Sequence, residues 1–363
     1  MSAATSRIAA LDLVRGVAVL GILTINIAAF AGGPSAALSP HLPQPGTFAD
    51  ELAFAAGLVL FEGKMRGLFT LLFGASLLLL LDRREAAGLE GKGWQARRLM
   101  WLLLIGYGHQ LFLWSGDILM FYAMIAPIAL AMRHLPVRTQ VIAALVLFAV
   151  WHALFALAGW SSLAGAEAAY RGTASADQLA ALAEARRSLA EESAADIALL
   201  RQPYPAMLAG RLLESLYLPL LMAGVAFGET LPLMVLGMAL YRSGCFTGGW
   251  DRARLWRLAA LGLGLGLPLA TVQAWWAWTR GFPPEAMFFL ATGLGGPQHL
   301  LLTLAWAALL MLAAPALLTT RIGQWLAAAG RMALSNYLLT SLVMAFCFFG
   351  WGMGLIGTVG AAR

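Results

Sequence analysis

Charged residues make up only 12% of this 363-residue chain, about half their share in an ordinary soluble domain. With 61% hydrophobic residues and a mean hydropathy of +0.77, there is too little polar side chain to coat a water-facing surface, which excludes a soluble globular class. Cysteine is scarcer still: Cys245 and Cys347 exclude a disulfide framework and a thiolate metal site. The five histidines show neither i,i+4 nor H-E-x-x-H spacing, and the chain has no G-x-S-x-G and no P-loop, so no metal is expected and the zinc-peptidase, nucleophile-elbow and NTPase classes fall away. Basic residues outnumber acidic ones, 24 to 18, but they are scattered between apolar runs instead of forming one face. No nucleic-acid partner is expected; the lipid bilayer is.

What the chain has is membrane-length hydrophobic runs, near residues 10–31, 65–81, 99–115, 117–133, 139–159, 225–242, 257–278, 297–318 and 332–353. Each approaches the ~20 residues that cross a bilayer as a helix. The loops 82–98, 133–138 and 242–257 carry five, two and four Lys/Arg and read as cytoplasmic; 32–50 has none, and 160–206 has six acidic residues against four Arg, so both belong outside. The expected architecture is an all-α, polytopic helical bundle of about nine spans with a cytoplasmic N-terminus. It forms a single transmembrane domain over 1–363, with 160–206 as an external insertion. Apolar pieces near 48–62, 207–224 and 284–293 read as short outer-face half-helices, broken from the next span at "EGKMRG", "AFGETLP" and "GLGGPQH". Within the insertion, Ser175 and Gln178 form a capping-box pattern ahead of one external helix near 175–200. A cleavable signal peptide ending at "AFAG" is the competing reading of the N-terminus, but Asp12 and Asn26 interrupt its apolar region.

A faint internal echo links "LFGASLLLL…GWQARRLMWLLLIGYG" to "VLGMALYRS…GWDRARLWRLAALGLG", which suggests a duplicated, parallel helical unit.

Polar residues inside the spans are the candidate functional groups. Asp12, Arg15, Val19, Ile22 and Asn26 follow +3, +4, +3, +4 spacing, so they share one helical stripe that should face protein. Arg15 has a bland reading, snorkelling with Asp12 as its i,i+3 partner, and Asn26 one as interhelical packing glue. "LLLIGYGHQLFLWSGDILMFYAM" places His109 near the end of one span and Asp117 after a tight external turn, where it would cap the next helix; Trp114 and Tyr122 would anchor at the interface. Lys64, Arg66, Arg211 with Glu214, and His299 fall at a similar outer level. On the inner side Arg331 precedes the last span, whose opening turns carry Ser335, Asn336 and Tyr337.

Four stretches, "RIAALDLVRGVAVLGILTINI", "GKMRGLFTLLFGAS", "LIGYGHQLFLWSGDILMFYA" and "AAGRMALSNYLLTS", resemble in order and spacing the YeiB-like bacterial membrane proteins, the domain-of-unknown-function 418 family. That resemblance implies a bacterial cytoplasmic-membrane protein. It also implies kinship with transmembrane acyltransferases that move an acyl group from cytosolic acyl-CoA to an acceptor across the membrane. Family members continue past the Gly-rich "GWGMGLIG" into a further span and a basic tail, so 320–363 reads as the C-terminal part of that pattern without its usual last span. In an acyl-transfer reading, Arg15, Arg97, Arg98 and Arg331 form an inner basic rim for the phosphates of acyl-CoA, the expected co-substrate, with Asp12 beside them. His109 acts as general base on an acceptor hydroxyl or amine, Asp117 orients its ring, and Asn26 or Lys64 meets the oxyanion. Arg66, His299, Ser335 and Asn336 complete the expected binding set. The alternatives are a transporter or channel using the same polar residues, or a scaffold that binds a partner through the external helix. A homo-oligomer is compatible with each.

Overall fold

A computed structural model describes residues 3–214 and 218–358, with side chains over 9–212 and 220–358, and their regular secondary structure is all helical. The helices are α1 (Ala3–Gly32), α2 (Phe48–Leu60), α3 (Lys64–Ala86), α4 (Lys92–Phe112), α5 (Leu119–Ala131), α6 (Val137–Ala158), α7 (Trp160–Tyr170) and α8 (Ala176–Leu200). They continue with α9 (Tyr204–Glu214), α10 (Leu218–Arg242), α11 (Arg252–Thr279), α12 (Pro284–Phe289), a π-helical turn at Leu290–Leu294, α13 (Gly296–Leu317), α14 (Arg321–Arg331) and α15 (Ala333–Phe348).

Among the described residues, six helical stretches are long and apolar enough to cross a membrane: Ala9–Gly32, Phe48–Ala86, Val137–Ala158, Leu220–Arg242, Arg252–Thr279 and Gly296–Leu317. The pair α14 and α15, bent by 88°, meets the same criterion only when taken together, as a broken span or a re-entrant loop. The chain is therefore a multi-pass helical membrane protein. The sequence expectation of about nine spans differs by α4, whose first turns carry charge, and α5, which is too short to cross alone. These two form a hairpin whose turn carries the buried side chains of Trp114 and Asp117.

Three local expectations are modified by packing. "AFGETLP" does not break a span, because α10 runs straight through it: Glu229 pairs with Arg66 at 2.8 Å, which neutralises the charge that would otherwise disfavour a continuous membrane helix. The piece near 207–224 is consequently divided between α9 and the start of α10. Residues 48–62 form α2 as expected, but α2 and α3 run on as one 39-residue stretch, with Lys64 Nζ donating to the Leu58 carbonyl across the break. The external helix forms as α8, with both halves of the Ser175/Gln178 capping box in place.

The core is centred on α3, which packs against α10, α1 and α13. Gly74 and Gly237 hold matching positions in the two repeats, and each packs on the other's helix: a Cβ on Gly74 would lie 2.1 Å from the Met234 carbonyl oxygen, and one on Gly237 1.9 Å from that of Leu71. Only glycine permits this backbone approach. The contact is reciprocal. The same holds where α1 crosses α14: a Cβ on Gly330 would meet the Asp12 carbonyl oxygen at 1.7 Å and one on Gly16 that of Leu326 at 1.9 Å. This crossing fixes Arg331 beside Asp12 and Arg15.

Candidate functional site

On α1 the polar stripe faces the protein: Asp12, Val19 and Ile22 are buried, and Arg15 and Asn26 are half-buried. Arg15 donates to Asp12 Oδ1 at 2.8 Å and to Ser76 Oγ at 2.9 Å, and Ser76 passes its own proton to the Leu72 carbonyl. This network borders a cavity of about 740 Å³ on the basic face, between α1, α3, α4 and the α14–α15 bend. Arg15, Arg83, Arg97, Arg98 and Arg331 line it, against the single carboxylate of Asp12. Arg83, Arg97 and Arg331 are exposed at its mouth. Arg98 lies over the Phe73 ring, and its Nη1 is buried with no hydrogen-bond partner. Five guanidinium groups against one carboxylate make an electropositive pocket that can attract an anion.

The cavity runs along one face of α4, past Trp94, Arg98, Trp101 and Ile105, to an apolar end formed with Leu102 and Leu119. From Trp94 to Ile105 that is about 16 Å of helix. One helical turn further lies His109.

His109 and Asp117 are joined by a 2.7 Å contact between Nδ1 and Oδ2, with both side chains essentially inaccessible. The other carboxylate oxygen of Asp117 accepts the Met120 N–H at 2.8 Å, so the residue caps α5 and orients the imidazole at once. A carboxylate can only accept, so with Asp117 ionised the proton is assigned to Nδ1. Nε2 is then left as a lone pair, buried and without a hydrogen-bond partner. An imidazole held in one tautomer by a carboxylate, with its other nitrogen free, is the arrangement of a general base.

A third side chain completes this corner. Tyr337, on α15, places its ring 5.2 Å from that of His109; its hydroxyl accepts from the Ile118 N–H and donates to the Gly116 carbonyl. It therefore clamps the α4–α5 turn. Trp114 and Tyr122, expected as interfacial anchors, are buried, as is Tyr337. Trp114 stacks on Phe30 at 3.8 Å, and the turn is roofed by α8, α9 and residues 345–356. Arg211 reaches the Leu111 carbonyl and Tyr204 that of Phe112.

The remaining sequence candidates do not converge on one chamber. Asn26 makes no hydrogen bond with the dyad. Lys64, fully buried, belongs to the α2–α3 break. Arg66 pairs with Glu229, and beside that pair Thr70 donates to the Arg66 carbonyl and lies 2.5 Å from the Tyr122 hydroxyl. His299 is buried against Gly63 and Gly295. Ser335 is exposed, and Asn336 donates to the Ala329 carbonyl, stitching the α14–α15 bend. The side chain of Glu214 lies outside those described. Among the described residues no group of three His, Cys, Asp or Glu could hold a metal ion.

Sequence reasoning missed Glu229, Tyr122, Thr70 and Ser76 as site members, and Tyr337 as the clamp. Only Glu229 left a signal, a carboxylate inside an apolar run whose matching position in the other repeat is Arg66.

Comparison with known proteins gives a family relationship. A family model described as "Protein of unknown function (DUF418)" matches residues 240–363. "Uncharacterized protein YeiB" of Escherichia coli (strain K12) is 30% identical over 362 residues, covering 94% of this chain and 84% of its own. "Uncharacterized protein YxaH" of Bacillus subtilis (strain 168) is 30% identical over 369 residues, covering 97% and 84% respectively. No solved structure matches the chain.

Proposed function

The chain belongs to the DUF418 family, and on the geometry above we propose that it is a bacterial inner-membrane acyltransferase, with its basic face in the cytoplasm and its acceptor supplied from the opposite side. One observation supports this reading: a buried His109–Asp117 dyad whose Nε2 has no hydrogen-bond partner stands one helical turn beyond the apolar end of a basic cavity.

The phosphates of acyl-CoA sit among Arg83, Arg97, Arg98 and Arg331, and the thioester arm extends along α4 toward Ile105 and Leu119. Nε2 of His109 removes the proton from an acceptor hydroxyl or amine as its heteroatom attacks the thioester carbonyl. Asp117 stabilises the resulting imidazolium. Collapse of the tetrahedral intermediate breaks the C–S bond, and the imidazolium proton passes to the departing thiolate. The products are free CoA and the acylated acceptor, and the histidine is neutral again.

Incubation of the purified protein in lipid nanodiscs with radiolabelled acetyl-CoA tests the reading by release of free CoA. His109→Ala and Asp117→Ala should abolish release that the wild type shows. Wild-type protein inert toward acetyl-, propionyl- and longer acyl-CoA over a range of acceptors refutes it.

A second reading, passage of a proton or small solute, is favoured by the Arg66–Glu229–Thr70–Tyr122 column, which the transfer scheme leaves unused. Substrate-driven flux into sealed vesicles without acyl-CoA, lost in Glu229→Gln, would select it.

A further inference from the structure

A second cavity, of about 760 Å³, lies on the face opposite the basic loops, between α7, α11, the π-helical turn and the start of α13. Its volume is that of a small-molecule site. Its lining is zoned. At the rim are Glu167, Arg171 and Arg280, with Glu167 bridging the two arginines and Trp276 donating to the same carboxylate. Below the rim the wall is apolar, and it includes Leu269 and Val272 of α11, which are 48% and 62% exposed. In a membrane span these exposed positions face lipid, so the cavity is open sideways to acyl chains.

The polar group at its inner end defines what it takes. Gln273 Nε2 donates to the Leu290 carbonyl at 2.7 Å. That carbonyl can only accept, so the Gln273 amide has one orientation and its oxygen faces Gln298. Gln298 Nε2 donates to it at 3.0 Å. The Gln298 oxygen is therefore the free end of the chain, buried without a partner on a residue of the cavity wall that is only 3% exposed. A buried acceptor in an apolar wall calls for an O–H or N–H donor. Leu290 also opens the π-helical turn, a distortion of the kind found at functional sites.

We infer that this cavity binds a membrane amphiphile that enters sideways from the leaflet opposite the basic face, its chain along α11 and a hydroxyl or amide N–H of its polar part donating to Gln298. The inference is independent of acyl transfer, since none of these residues lines the basic cavity.

Photolabelling tests it. The probe is a monoacylglycerol with a diazirine in its chain, placed in phosphatidylglycerol vesicles holding the full-length protein; the control probe is its di-O-methyl ether, equally apolar but without donors. Labelled peptides are quantified by mass spectrometry. The hydroxyl probe should label 269–276 and 290–297 about tenfold more than the ether, the worth of one buried hydrogen bond. Gln298→Met, which keeps length but removes the acceptor, should erase that ratio. Equal labelling by the two probes of wild-type protein overturns the inference, whether or not the variant folds. So does labelling no stronger than at the lipid-facing residues Val150 and Leu154 of α6.

Discussion

Asp117→Asn separates the two tasks that one carboxylate performs. As a cap, Asn accepts the Met120 N–H as well as Asp does, so α5 and the α4–α5 turn should keep their stability to within about 0.5 kcal/mol. As an orienting group it fails. With its oxygen toward Met120, the side chain turns an N–H₂ toward His109 Nδ1. The imidazole then answers with a lone pair there and moves its proton to Nε2, the atom that must be bare to act as a base. The loss combines a charge-assisted hydrogen bond, about 1.5–3 kcal/mol, with the cost of regenerating the productive tautomer and of an imidazolium no longer stabilised by a carboxylate. The sum is about 4–5 kcal/mol, or about 10³-fold or more in kcat. KM for acyl-CoA should stay within about threefold, because Arg98, the rim arginine nearest along α4, lies about three helical turns from His109. Single-turnover release of CoA from radiolabelled acetyl-CoA measures the effect, and size exclusion with thermal unfolding in detergent verifies the fold. A variant that folds like the wild type and keeps more than a tenth of its kcat would refute the dyad as the base.

Arg98→Ala and Arg331→Gln should each raise KM for acyl-CoA about three- to tenfold with kcat little changed, and wild-type KM should rise between 0.05 and 0.5 M salt as the rim is screened; steady-state kinetics would show a flat salt response if the rim does not hold the phosphates. Gly237→Ala drives a methyl into the Leu71 carbonyl, backbone that cannot yield, and should destabilise by about 3 kcal/mol, read as a lowered Tm in detergent. On α8, burial and then the neighbouring Glu192 push the Asp196 carboxyl up to about 6, against the pull of Arg211. Its folded pKa is thus above its unfolded one, so the fold is favoured while Asp196 is protonated and loses that contribution as pH rises through 6. Because the side chain is only half-buried, the shift is worth about 1 kcal/mol after screening. Asp196→Asn should therefore raise Tm at pH 8 and leave it unchanged below pH 4; a stabilisation independent of pH would point to packing instead.

What the sequence made legible was local. A helical stripe is a property of spacing alone, so the inward face of Asp12, Val19 and Ile22 could be read from +3 and +4 steps. His109 and Asp117 are eight residues apart on elements joined by a tight turn, and any hairpin of helices brings such positions together. The Ser175/Gln178 box depends only on its own turn. By contrast, Arg66 and Glu229 are 163 residues apart, and Tyr337 reaches a backbone group 219 residues away. Nothing within either segment specifies those pairings. The surroundings of the α4–α5 turn were out of reach for the same reason. Its own residues, Ser115, Gly116 and Asp117, carry the polarity of an exposed loop, and that polarity is spent on groups supplied from elsewhere: Tyr337 from α15, the His109 ring from α4, and a lid from α8 and α9. A polar turn reads as external only when the rest of the chain offers it no partners.

The same logic explains why the convergence expected from outer-level candidates did not occur. Depth along a helix is readable, because each residue adds about 1.5 Å, but the face it presents in a bundle depends on which helices cross. Gly74 and Gly237 bring α3 and α10 into backbone contact, and that contact is what turns Arg66 toward Glu229 and away from the dyad. Gly16 and Gly330 set a different crossing, of α1 on α14, and that one carries Arg331 to Arg15 and opens the basic cavity along α4. Two pairs of close backbone contacts therefore sort residues of similar polarity into separate sites, one with an unspent guanidinium and a free imidazole nitrogen, the other with its charges mutually neutralised. Chemistry is available only where a polar group is left without an internal partner. By that criterion the Arg98–His109 axis, and not the Arg66–Glu229 column, is where a substrate would gain most by binding.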